Sequence, residues 1–321
     1  MYLLSTFAFK QNEIDKLKEL GTDVKLFNSE KELIDYEDVQ RADAIIANHR
    51  TLQIDFLDRC KNLKWIQVPH IGIERLPMQY LKERKIIVTN ARGIAGTPIS
   101  EDIFCMMLML ARKSKDSVKS QLEHKWEHHN GVFNLYNKTI GLMGTGNVGT
   151  ETAKKAKVFG MKTLGLNTTG QPLAYFDEVY KTCDVNRFLT QSDFIVCTIP
   201  PTKETINLIG EEQFKCMKTT AYIINISRAV IFKEEVLFDY LKNKKIAGAA
   251  LDVFMEEFKL GHLPKESPFW NLDNLIITPH MAASGDGGYE AFIKIIDHNA
   301  KCFCSGGVDS MINIRDYDKG Y

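Results

Sequence analysis

Short apolar runs alternate with longer amphipathic stretches along almost the whole chain. That pattern predicts strands joined by helices, and hence parallel βαβ units. In the first third the predicted strands are Tyr2–Phe7, Val24–Phe27, Ala44–Ala47, Trp65–Val68 and Ile86–Thr89, enough for a small sheet. The segment 100–120, SEDIFCMMLMLARKSKDSVKS, then reads as one long helix. Ser100 is its expected cap, acids fill its first turn and bases follow. Its first half is apolar nearly all round, which predicts deep burial. Two roles stay open for it: an ordinary core helix, or a bridge between domains or subunits.

A second series of strands is predicted at Thr139–Met143, Thr163–Leu166, Phe194–Thr198, Tyr222–Ile226, Ala247–Leu251 and Leu275–Thr278. Six strands with crossing helices make a complete doubly wound domain. The stretch Gly288–Cys304 is again helical in pattern, and a return to the first domain would build that domain from both chain ends. The expected division is 1–98 plus 288–321 for one domain and 99–287 for the other. The fold class is α/β.

Composition narrows the partners. The 321 residues suit two domains, and 44% apolar content supplies cores for both. Lys plus Arg equals Asp plus Glu at 41 each, so no net field draws nucleic acid or an acidic membrane. Seven cysteines without a spaced framework point to a reducing compartment. Cys302 and Cys304 lie close together, but no further ligands make them a metal site, and none is expected. MYLLSTFAFK has too short an apolar run for a signal peptide. No stretch nears the roughly 20 apolar residues of a membrane span. A soluble, cytoplasmic protein is expected.

The candidate chemistry starts with TIGLMGTGNVG, residues 139–149. A strand runs into Gly144, Thr145, Gly146, Asn147, Val148 and Gly149, and a helix-like segment follows. This is the layout of a dinucleotide turn, with phosphates at the helix N-terminus. A structural turn in another α/β protein is the plainer alternative. Ligands of open α/β sheets bind at the carboxyl ends of strands. Just past three predicted strand ends stand Ser227 and Arg228, Asp252 and Glu257, and Pro279 and His280. Arginine can clamp a carboxylate through two hydrogen bonds, and histidine exchanges protons near neutral pH. A carboxylate beside that histidine would orient it and favour its protonated form. Singly, each residue could be structural, as an ion pair, a solvated acid or a turn histidine. Their agreement carries the expectation.

Several stretches together resemble the D-isomer-specific 2-hydroxyacid dehydrogenases, over nearly the whole length. They are GTGNVG, IPPTKETINLIGEEQFKCMKTTAYIINISRA, KIAGAALDVF with EE behind it, and NLIITPH. The resemblance implies two Rossmann-like or flavodoxin-like domains with the active site in the interdomain cleft. It implies that Arg228 binds the substrate carboxylate, that His280 is the acid–base group, and that Glu257 pairs with it. Asp252 would lie near the nicotinamide of NAD or NADP. The cofactor set so implied is Gly144, Thr145, Gly146, Asn147, Val148, Gly149, Asn167, Thr168, Thr169, Ile199, Pro200, Thr205, Ile226, Ser227, Arg228, Asp252 and His280. VPHIGIERLP resembles the family's substrate loop, which gives Ile71 and Gly72 amides the carboxylate and sets His70 beside the pocket, or else facing solvent. The family more often has a small residue at position 70 and aspartate at position 74, where this chain has Glu74. Family members are commonly homodimers, which would give residues 103–111 an interface role.

One departure concerns the cofactor. NAD-preferring members usually end the second Rossmann strand with an acid, and here LGLNTTG puts Asn167 there. A neutral side chain removes the repulsion of a 2′-phosphate, and Thr168 and Thr169 can donate to it. Tolerance of NADP is expected, with preference for it as the stronger alternative. A smaller departure is Ala229 in place of glycine. The expected function is hydride transfer between NAD(P)H and a small 2-oxoacid, giving the D-2-hydroxyacid. The alternatives are an NAD(H)-sensing, corepressor-like binding protein without turnover, and a formate or phosphite dehydrogenase. Formate enzymes generally carry glutamine where Glu257 stands, which disfavours that branch.

Overall fold

The computed structural model describes residues 1–73 and 75–317, apart from the Phe258 side chain. Glu74 therefore lies outside the described residues. The chain divides into two units: Met1–Ile94 with Asp286–Tyr321, and Ala95–Gly285. These divisions fall a few residues from the expected ones at 98/99 and 287/288.

Unit 1 carries β1 (Tyr2–Ser5), β2 (Asp23–Leu26), β3 (Ala44–Ile46), β4 (Trp65–Gln67) and β5 (Ile87–Thr89). They form a parallel sheet in the order β2-β1-β3-β4-β5, the flavodoxin-like winding. Successive side chains point to opposite faces, so the apolar runs feed two layers. Leu4, Ile45, Ile66 and Val88 pack on one face. Leu3, Ala44, Ile46 and Trp65 pack on the other, against Phe292, Ile296 and Ala300. Those last three sit on the helix Gly288–Cys304, which belongs to unit 1. A buried polar chain locks it there. Trp65 Nε1 donates to Thr89 Oγ1 at 2.7 Å, Thr89 donates to Gln67 Oε1 at 2.8 Å, and Asn299 Nδ2 reaches the same oxygen at 3.3 Å.

Unit 2 carries β6 (Thr139–Met143), β7 (Lys162–Asn167), β8 (Glu178–Lys181), β9 (Phe194–Cys197), β10 (Tyr222–Asn225), β11 (Gly248–Leu251) and β12 (Leu275–Ile277). All are parallel, in the order β12-β11-β10-β9-β6-β7-β8. The order reverses beside β6, which is the Rossmann switch point. Seven strands stand where six were expected. The extra one, β8, is a polar edge strand, EVYK, with only Tyr180 buried.

The long helix expected over 100–120 is corrected in two ways. It is two helices, Gly96–Ala111 and Ser114–Leu122, broken where Lys113 takes the left-handed region at φ 56°. Ser100 is not its cap. The helix starts a turn earlier, and the buried Ser100 hydroxyl donates to Thr97 O and accepts from Lys155 Nζ at 2.8 Å. Ile103, Phe104, Met106, Met107, Leu110 and Ala111 are buried within unit 2, and only Cys105 and Leu108 of that stretch are exposed. The core-helix role thus takes most of the face first considered for an interface. Among the described residues, no helix is long and apolar enough to cross a membrane.

Candidate active site

The glycine turn is built by two close approaches. Gly144 follows β6 at φ 107°, a region that side chains rarely adopt. A Cβ on Gly149 would stand 2.1 Å from Gly144 O, so only glycine lets the helix Asn147–Val158 begin this close to the strand. A Cβ on Gly146 would meet nothing within 4 Å. The turn therefore opens at the helix N-terminus, where amide hydrogens and the helix dipole favour phosphate. Thr198, after β9, buttresses it by donating to Met143 O at 2.9 Å. These residues fit a dinucleotide pyrophosphate. Thr145 and Val148 are partly buried, and Asn147 is exposed at the helix start.

At the end of β7, the Asn167 amide organises the next turn. Its Nδ2 donates to Thr145 Oγ1 at 2.9 Å, and its Oδ1 accepts from Thr169 N at 3.0 Å and Gly170 N at 2.7 Å. Thr168 and Thr169 are exposed. The missed strand β8 brings Lys181 into register with Asn167. Its chain lies on this turn, since a Cβ on Gly170 would stand 2.7 Å from Lys181 Cγ. Lys181 is distant from Asn167 along the chain and comes beside it only through the strand pairing.

Across the switch point, the loop after β9 is held by Thr205. Its hydroxyl donates to Pro200 O at 2.6 Å and accepts from Thr202 N at 2.6 Å. Ile199 packs on the core beneath, and its carbonyl accepts from the Ser227 hydroxyl. Burial pushes the Cys197 thiol up to about 12, which leaves it inert at neutral pH. After β10, Ile226 is buried and Asn225 folds the turn. Asn225 Oδ1 accepts from Ser227 N at 3.1 Å, and its Nδ2 donates to Arg228 O at 3.1 Å. Arg228 is partly exposed, and its Nη1 donates to Ser227 O at 2.8 Å.

The ends of β11 and β12 are tied by one carboxylate. Asp252, 2% exposed, accepts from Thr278 Oγ1 at 2.5 Å, Met281 N at 3.0 Å and Ala282 N at 3.0 Å. His280 N donates to Asp252 O at 3.0 Å. This holds His280 at φ 52°, and its Nδ1 meets Glu257 Oε1 at 2.7 Å. Glu257 comes from the short helix Met255–Leu260. The glycine turn, Arg228, Asp252, Glu257 and His280 thus gather at the carboxyl edge of one sheet. His70, Ile71 and Gly72 lie in unit 1, in the loop after β4, where Ile71 is exposed and its carbonyl accepts from Asn90 Nδ2 at 2.6 Å.

A further acid escaped the sequence reading. Asp102, on the Gly96–Ala111 helix, is held above the usual carboxylate range, first by burial and then by the charge of Asp252. Its Oδ2 is buried without a hydrogen-bond partner. Nothing in the helix pattern reveals that it faces a second acid.

The D-isomer specific 2-hydroxyacid dehydrogenase NAD-binding domain matches residues 104–282, and the catalytic domain of the same family matches residues 2–104. The chain belongs to this family. The dehydrogenase-family chain is 31% identical over 318 residues to D-3-phosphoglycerate dehydrogenase of Methanocaldococcus jannaschii. That alignment takes in 97% of the chain and only 59% of the relative's length. Glyoxylate reductase of Thermococcus litoralis is 30% identical over 298 residues, covering 87% of this chain and 86% of its own. The solved structure of a D-isomer specific 2-hydroxyacid dehydrogenase family protein from Aeromonas salmonicida subsp. salmonicida A449 superposes with a TM-score of 0.84 at 28% identity, covering 99% of both chains.

Two measurements probe this site. Lys181→Ala should raise KM for NADPH about ten-fold while moving KM for NADH by less than about two-fold, because only the former carries the extra phosphate. Equal effects on both cofactors would place Lys181 outside the ribose region. For Asp102, the folded state holds the proton more tightly than the unfolded chain, so ionisation opposes folding. Asp102→Asn should raise the urea midpoint near about pH 7.5, and the gain should shrink as pH falls through the carboxylate range.

Proposed function

We propose that the chain is an NAD(P)-dependent oxidoreductase that interconverts a small 2-oxoacid and the D-2-hydroxyacid. The observation that carries this reading is the 2.7 Å contact between His280 Nδ1 and Glu257 Oε1 at the strand edge that also bears Arg228 and the glycine turn. A nicotinamide cofactor, when bound, supplies or accepts the hydride at C2 of the acid. The pyrophosphate belongs to Gly144, Thr145, Gly146, Asn147, Val148 and Gly149. The adenosine ribose belongs to Asn167, Thr168 and Thr169. The remainder falls to Ile199, Pro200, Thr205, Ile226 and Ser227, with Asp252 serving chiefly by pinning the turn that carries His280.

The proton chemistry follows from the residues. In the reducing direction, Arg228 and the amides of Ile71 and Gly72 hold the carboxylate, and the guanidinium polarises the carbonyl. Glu257 accepts from Nδ1, so Nε2 is the nitrogen that gives its proton to the developing alkoxide. In the oxidising direction the same nitrogen takes the hydroxyl proton. The relatives named glyoxylate reductase and phosphoglycerate dehydrogenase support a small 2-oxoacid or 2-hydroxyacid substrate. A reducing, cytoplasmic setting is part of the reading, supported by seven free thiols.

A homodimer is the further part of the proposal. Unit 2 exposes Leu122, Trp126, Tyr136, Val158 and Phe159, with Trp126 98% exposed and Val158 85%. Phe159 stacks on Phe104 of the long helix, and Tyr136 lies against Gly160, so part of this surface is contiguous. Exposed apolar surface of this extent marks an interaction face.

The test of activity is NADH or NADPH oxidation followed spectrophotometrically with glyoxylate, hydroxypyruvate, pyruvate and branched-chain 2-oxoacids. Absence of turnover with all of them defeats the enzyme reading. His280→Ala should cut kcat about 10²–10⁴-fold with little change in cofactor affinity, and Glu257→Gln should give a smaller loss of the same kind. For assembly, light scattering after gel filtration should give twice the chain mass. Trp126→Glu with Val158→Glu should give the monomer, and a wild-type monomer at micromolar concentration would refute the dimer.

A further inference from the structure

His280 and Glu257 reach their 2.7 Å contact from different elements of unit 2. His280 sits in the turn that Asp252 pins. Glu257 sits in the first turn of the six-residue helix Met255–Leu260. A helix this short has little stability of its own. Its first amides have no acceptor within the helix, and Phe254, at the cap position, has no polar side chain to offer them.

The acceptor comes from another helix. Glu234 Oε1 accepts from Met255 N at 3.0 Å. Glu234 opens the helix Glu234–Lys242, which Leu237, Tyr240 and Leu241 anchor in the core. A carboxylate at this place also meets the positive end of the short helix. A second link between the same two elements is apolar. Phe254 packs edge to face on Phe269 with centroids 5.4 Å apart, and Phe269 packs likewise on Phe238 at 5.2 Å. Phe238 lies one turn further along the helix that Glu234 opens. The start of the short helix is thus fixed to its neighbour by one polar and one apolar tie. Burial pushes the Glu234 carboxyl up, the Met255 amide draws it down, and the charges of Glu256 and Glu235 push it up again. A neutral side chain with the same acceptor oxygen therefore suits the position nearly as well as the carboxylate.

We infer that Glu234 is a positioning residue for the proposed acid–base pair, holding the first turn of the helix that delivers Glu257 to His280. The inference rests on the dehydrogenase reading, in which that pair moves the substrate proton. Without Glu234, Met255 N loses its acceptor and the turn bearing Glu257 is free to shift against the imidazole. A misplacement of about 1 Å in a catalytic constellation can cost about 10²-fold in rate. Asp252 and Glu234 divide the work, one fixing the turn of the histidine and the other the helix of the glutamate.

The test is a mutant cycle with Glu257, with kcat for 2-oxoacid reduction counted per NADH-binding site so that unfolded protein does not enter. Glu234→Ala should lower kcat about ten-fold and leave the Kd for NADH within about two-fold. Glu234→Gln, which keeps an oxygen for Met255 N, should stay within about three-fold of the wild type. Glu234→Asp, which keeps the charge but is one methylene short of that amide, should lose as much as Glu234→Ala. In a Glu257→Ala background, where no carboxylate is left to position, Glu234→Ala should cost less than about two-fold more. An undiminished loss in that background overturns the inference and leaves the dehydrogenase reading intact. So does a kcat that Glu234→Ala leaves unchanged while Glu257→Ala lowers it. A kcat indifferent to Glu257→Ala, or no turnover of any 2-oxoacid by the wild type, removes the acid–base reading and the inference with it.

Discussion

The Asp252 carboxylate is the constraint on which the proposed proton chemistry depends. It is buried at the end of β11 and spends its oxygens on a hydroxyl and two amides of the turn that follows β12. A carboxylate with that many donors is stable without a cation. What it stabilises is a backbone that a histidine does not choose. The left-handed conformation of His280 costs about 1–2 kcal/mol in an ordinary residue. The hydrogen bonds to Asp252 offset that cost, and the imidazole is delivered to Glu257 in one orientation. Substituting Glu257 alters the imidazole directly, whereas Asp252 acts on it through the chain.

A second constraint governs the cofactor side. The contact between the Gly149 position and Gly144 O brings a helix start and a strand end to van der Waals distance. Strand order then separates the labour. The turn after β7 stands on one side of the switch point, and the ends of β9 to β12 on the other. A molecule with two nucleotide halves spans that arrangement naturally. The His280–Glu257 contact lies in the half away from Asn167.

Much of this was legible in the chain, and the parts that were not share a cause. Ten strands are largely buried and read as apolar runs, and the exposed edge strand β2 still carries Val24 and Leu26, so eleven of the strands could be located from hydrophobicity, with ends displaced by a residue or two. β8 could not, because EVYK sets only Val179 and Tyr180 between charged residues and gives no apolar run. Lys181 was hidden for the same reason: its closeness to Asn167 is a property of the register. Ser100 has the chemistry of a cap, but the helix extends through Gly96 and the hydroxyl serves Lys155 instead. The break at Lys113 has no glycine or proline to announce it. Strand-end residues such as Arg228, Glu257 and His280 were readable because topology alone places strand ends together.

The helix Gly288–Cys304 has a consequence for biosynthesis. Unit 1 begins the chain, yet one layer of its core awaits Phe292, Ile296 and Ala300. On the ribosome its five strands emerge early and are only partly covered on that face, by Leu17 of the helix Gln11–Glu19, while Ala95–Gly285 contains all its own strands and can close beforehand. The usual order, in which the N-terminal domain matures first, is thereby inverted. Leu3, Ala44, Ile46 and Trp65 form the surface that a chaperone would meet on the nascent chain.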